Sequence, residues 1–119
     1  MKIGDTFIPA LPDAHLWIVL TEPNEEGKVV IVNLTSGVFD QSCILEPGDH
    51  PFVRHTSTIR YQKAMLCSHE KLEESVRAGS VRRREPVAME IVKRIWRGAL
   101  VSDYTPGKVA KEIKKMLGR

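Results

Sequence analysis

Cysteine is scarce in this chain, with two in 119 residues, Cys43 and Cys67. They give no disulfide framework. No C-x-x-C knuckle and no helical H-x-x-x-H accompanies them, so no metal site and no cofactor is expected. Both thiols read as small core residues rather than nucleophiles. Long apolar runs are missing too. The longest are Leu16–Leu20 and Val29–Val32, far below the roughly 20 residues a membrane span needs. The opening MKIGD has no apolar signal region, so the expectation is a soluble, cytoplasmic protein with no membrane partner. Internal repeats and low-complexity segments are also absent. What is present suits one folded domain: 42% hydrophobic and 28% charged residues.

The net charge of +3 hides an asymmetry. Residues 1–67 carry five Lys/Arg against eight Asp/Glu, whereas residues 68–119 carry thirteen against seven. A basic second half favours a polyanionic partner, although lysine-rich helix surfaces have the same signature.

Short β-prone runs fill the first half. Gly4–Ile8 reads as a strand entered from a turn, and two prolines at Pro9 and Pro12 make the next stretch a loop. His15–Thr21 (HLWIVLT) and Lys28–Leu34 (KVVIVNL) show little alternation, the mark of strands covered on both faces. Thr58–Met65 alternates and fits a strand with one wet face. Helical signals follow. Ser68 is an N-cap and Gly79 a stop for a first helix. Arg82–Pro86 is a loop into a second helix with an apolar stripe of Met89, Val92, Ile95, Trp96 and Ala99. Thr105-Pro106 opens a third, with Val109, Ile113, Met116 and Leu117 on one face. The expected fold is α+β: a small barrel of about five to seven short, mostly antiparallel strands over 1–67, then about three helices over 68–119 packed on it in one domain.

Within this frame Asp40–Tyr61 (DQSCILEPGDHPFVRHTSTIRY) concentrates the chemistry. Pro47, Gly48 and Pro51 fix a reversal between the apolar runs Cys43–Leu45 and Phe52–Val53. His50, His55, Arg54, Ser57 and Arg60 stand on or beside that turn, able to move protons or hold an anion. A turn histidine can equally be a cap for backbone groups. His69, beside Glu70 at a helix start, reads as surface.

Three segments, GDTFI, HLWIVLT with KVVIVNLTS, and STIRYQKAMLCSHEKL, together resemble the MazF/PemK plasmid-maintenance toxin family over residues 4 to about 75. The resemblance implies an SH3-like barrel, a metal-independent endoribonuclease acting on single-stranded RNA, a homodimer, and an antitoxin partner. It places Thr35 at the family's catalytic threonine. The family's catalytic arginine, which precedes a proline, is replaced here by His15-Leu16. That change removes a guanidinium and supplies an imidazole.

Metal-independent cleavage requires attack by a 2′-hydroxyl on phosphorus, a base to take its proton, an acid for the leaving 5′-oxygen, and donors for the phosphorane. Two of His15, His50 and His55 are expected to be base and acid, since an imidazole pKa of about 6.5 keeps both forms accessible. Thr35 and Ser36 hydroxyls, free backbone N–H groups over residues 35–37, Ser57, Arg54 and Arg60 are expected on the phosphate. The rival expectation is a non-catalytic module on the same barrel, binding RNA or protein through its basic tail.

Overall fold

The computed structural model describes residues 1–119. Seven strands run β1 (Thr6–Pro9), β2 (Trp17–Val19), β3 (Lys28–Thr35), β4 (Ile44–Leu45), β5 (Ser57–Ile59), β6 (Met65–Ser68) and β7 (Val81–Arg84). Three helices are α1 (His69–Ala78), α2 (Met89–Val101) and α3 (Gly107–Met116). None of them is long and apolar enough to cross a membrane.

The strands form one antiparallel sheet in the order β4-β5-β3-β2-β1-β7, with β6 also pairing β3. The α+β class therefore stands, but the sheet does not close on itself. β3 is its spine. Val30, Val32 and Leu34 join Ile18 and Leu20 on one face, against Ile91, Val92 and Ile95 of α2 and Val109 and Ile113 of α3. The alternate residues Val29 and Ile31 join Phe7, Val19 and Leu72 of α1 on the other. Helices on both faces explain why β2 and β3 lack the usual polar alternation.

Helix α1 has the ends its residues imply. The Ser68 side chain accepts from Lys71 N, and Gly79 closes the helix at φ 81°. Trp96 of α2 is half-buried, and its indole N–H donates to Leu20 O at 2.8 Å.

Three expectations need correction. Thr58–Met65 is not one strand: β5 and β6 line the same partner but are separated by a 3-10 turn at Tyr61–Lys63. The pairing slips from Leu34–Ile59 to Ile31–Met65 as that turn inserts residues. Tyr61 anchors it, its buried hydroxyl donating to Ile95 O at 2.7 Å. Residues Arg82–Arg84 are not loop but part of β7, which pairs with β1 through Thr6–Arg84 to Pro9–Val81. The second half is thus not purely helical, and the main core draws on both halves. Finally, β4 does not pair back across the proline turn. It pairs with Ser57 and Thr58 of β5, because the turn and its flank, 46–56, form a longer connection held by its own side chains.

Candidate active site

The C-terminal end of β3 delivers Thr35 to the surface and the chain then turns through Ser36 and Gly37. The Thr35 hydroxyl oxygen accepts from Gly37 N at 3.3 Å, and Thr58 Oγ1 donates to Gly37 O. One of the N–H groups expected to be free over 35–37 is therefore engaged. The same bond leaves the Thr35 O–H proton available to a ligand.

The proline turn precedes the segment that supplies the other wall. Asp49 closes the turn, accepting from Glu46 N at 2.8 Å while Asp49 N donates to Glu46 O at 3.0 Å. Gly48 takes φ 104°, a conformation L side chains rarely adopt. The turn leads on through Phe52, Arg54 and His55 to Ser57 at the start of β5. His15 comes from the loop before β2, where Leu34 N donates to Leu16 O at 2.9 Å and holds that loop beside the end of β3.

These segments enclose a cleft of about 260 Å³ lined by His15, Thr35, Ser36, Arg54, His55 and Ser57, with Ala14, Leu34 and Phe52 as its apolar part. No carboxylate lines it. A second cleft of about 240 Å³ shares Thr35 and adds Gly37, Phe39, Asp40, Thr58 and Arg60. Of the eight candidate residues, the fold brings six into one cleft and places Arg60 in the adjoining one.

His50 stands apart. It is 3% exposed and lines neither cleft. Phe52 N donates to its Nδ1 at 3.0 Å, so Nδ1 is the unprotonated nitrogen, and Nε2 donates to Glu85 O. The ring ties the turn to the segment after β7, the capping role open to any turn histidine. His55 is exposed, and its Nδ1 lies 3.1 Å from Thr56 O. A carbonyl only accepts, so Nδ1 carries the proton and the Nε2 lone pair is left for chemistry. His15 and Arg54 are also exposed.

Two neighbours had no local sequence signal. Phe52, in the cleft wall, lies under the Arg84 guanidinium, 5.6 Å from ring centroid to carbon. Arg84 and Arg82 line a further depression along the β1–β7 edge. Positive charge thus continues from Arg54 around Phe52 to β7, an adjacency created only when β7 pairs with β1. Asp40 is the other. It accepts from Ser42 N at 3.0 Å and from Ser102 Oγ at 2.6 Å. Burial pushes its pKa up, but the hydrogen bonds from Ser102 and Ser42 outweigh that and hold it below the ordinary carboxylate value.

The largest depression, about 510 Å³, lies elsewhere, between the 21–25 loop and α3. Glu22, Glu25 and Glu112 line it, and Lys115 is already paired with Glu25. That acidic lining repels phosphate, so size does not make it the candidate site. The thiols of Cys43 and Cys67 are both raised by burial, which disfavours thiolate and fits the core reading. No three His, Cys, Asp or Glu side chains converge as metal ligands. No family model, no curated protein and no solved structure matches this chain.

Proposed function

We propose that the chain is a MazF/PemK-like, metal-independent endoribonuclease on an SH3-like framework, the toxin of a toxin–antitoxin pair, acting on single-stranded RNA. The observation that carries the proposal is the convergence of His15, His55, Thr35, Ser36 and Arg54 on one carboxylate-free cleft from three separate stretches of chain. An anion is favoured there, and both proton-transfer partners are within the same walls.

In this reading His55 Nε2 takes the proton from the attacking 2′-hydroxyl. Protonated His15 delivers one to the departing 5′-oxygen, so that a 2′,3′-cyclic phosphate and a free 5′-hydroxyl result. Each proton transfer contributes roughly 10²–10⁴-fold. The Thr35 O–H and the Ser36 hydroxyl donate to the non-bridging oxygens, and Arg54 adds charge to the phosphorane. His50 positions the turn and transfers no proton. Arg60 meets a neighbouring phosphate from the adjoining cleft.

The test is cleavage of a long single-stranded RNA without divalent ions by His15→Ala, His55→Ala and Thr35→Ala. The histidine variants should each lose at least about a hundredfold, and the wild-type pH–rate profile should show two limbs. Undiminished cleavage by all three variants ends the proposal. Expression of the wild type should arrest growth, with relief by the product of a neighbouring gene.

One feature favours the rival, a non-catalytic RNA- or protein-binding module: the family's arginine is absent and His15 stands in its place. RNA binding without cleavage at any pH would select that reading.

A further inference from the structure

Beside the Thr35 cleft two aromatic rings face solvent. Phe39 is 64% exposed and Tyr104 48% exposed, yet they meet, with ring centroids 4.7 Å apart and planes tilted by 49°. They come from opposite halves of the chain, the β3–β4 connection and the α2–α3 connection. Only seven residues here are aromatic, so two rings left in water at one spot is a costly arrangement for the fold alone.

The pair is also held in place from beneath. Buried Asp40, next to Phe39, accepts from Ser102 Oγ at 2.6 Å, and that same oxygen accepts from Tyr104 N at 3.1 Å. Thr105 Oγ1 then donates to Ala99 O at 2.7 Å, tying the second connection to α2. Both loops are therefore pinned through one carboxylate, and the rings are presented on a braced support. Phe39 itself lines the cleft that holds Thr35 and Arg60.

We infer that Phe39 and Tyr104 form a stacking platform for an unpaired nucleobase of the RNA whose phosphate occupies the Thr35 cleft. The inference rests on the ribonuclease reading and adds to it the way the strand is gripped. An exposed aromatic ring face, backed by a second ring and next to a guanidinium and hydroxyl donors, matches the alternation of base and phosphate in a single strand. A duplex keeps its bases stacked inside and has none to offer. A second copy of the chain is the weaker occupant. Two half-exposed rings of about 150–250 Å² each in full fall well short of the roughly 800 Å² per partner of a stable interface.

The experiment is fluorescence-anisotropy titration of a short, cleavage-resistant 2′-fluoro oligouridylate and of an abasic oligomer with the same backbone. Wild type, Phe39→Ala, Phe39→Leu, Phe39→Trp and Tyr104→Ala are compared, with thermal unfolding as the check on folding. Both alanine variants should weaken the base-bearing oligomer about five- to a hundredfold and leave the abasic oligomer unchanged. Phe39→Trp should retain binding and Phe39→Leu should not, because flatness rather than apolarity is required. Equal binding of the base-bearing oligomer by every variant overturns the platform and leaves the ribonuclease reading standing. A wild type that binds neither oligomer overturns both. A wild-type dimer that becomes monomeric on Phe39→Ala, with RNA affinity unchanged, shows instead that the rings join two copies and also overturns it.

Discussion

Tyr61 shows how one side chain links the sheet to the helical layer. Its hydroxyl, wholly buried, donates to Ile95 O in α2, and burial raises its pKa strongly, with Cys43 nearby adding to the rise. In the unfolded chain a tyrosine ionises near pH 10 and a cysteine near 8.5. A raised folded pKa gives stability that is intact below the unfolded value and lost as pH climbs past it. The melting temperature should therefore fall from about pH 8.5 upward, the Cys43 and Cys67 thiols contributing first and the Tyr61 phenol later. Tyr61→Phe should cost about 0.5–1.5 kcal/mol at neutral pH and flatten the upper part of the alkaline fall. Thermal melts over a pH series check both. An unchanged alkaline slope in the variant would show that the phenol does not ionise on unfolding.

At the scale of elements, α2 packs closely on the 42–43 segment at Gly98. A Cβ on Gly98 would lie 2.8 Å from Ser42 O and 3.0 Å from Cys43 Cβ, and would overlap the Tyr61 hydroxyl. In an open helix, Gly→Ala gains about 0.8–1.0 kcal/mol. Here overpacking costs about 1–3 kcal/mol, and displacing the Tyr61 hydrogen bond adds to that. Gly98→Ala should thus be net destabilising by denaturant titration. A stabilised variant would mean that α2 slides freely over the sheet. The helix ends illustrate what local chemistry dictates: Ser68 and Gly79 bound α1 because capping needs only neighbours along the chain. The strand β7 illustrates the converse. Val-Arg-Arg-Arg has three exposed charged residues, a pattern shared by loops and by edge strands that resist further pairing, and only β1 decides between the two.

For the molecule as a whole, the division into a barrel and a helical tail does not describe how stability is distributed. The 19-residue core takes Ile18, Val32 and Ile59 from the first half and Val92, Ile95 and Ile113 from the second. A chain ending at Gly79 loses β7, α2 and α3, and leaves that face of the sheet in water. It should fail to give a cooperative melt by circular dichroism, where a free-standing barrel would give one. The same union of halves sets the electrostatics. The acidic first half supplies the cleft, while Arg84 from the basic half reaches its border through Phe52 and lines the next depression with Arg82.

The residues alone determined what depends on near neighbours and on period. They showed two strands covered on both faces, the capped first helix, apolar stripes on the others, a proline-glycine turn, and cysteines suited to a core. Side-chain alternation and capping act over a few positions, so they are legible along the chain. Tertiary structure decided which histidines share a cleft, because that depends on where the ends of distant segments are brought. It buried His50 between two backbone partners, left His55 and His15 beside Thr35, joined Phe39 to Tyr104, and turned an arginine run into a strand. Each of these rests on pairing across long loops, whose register is set by the whole core and by no single stretch of residues.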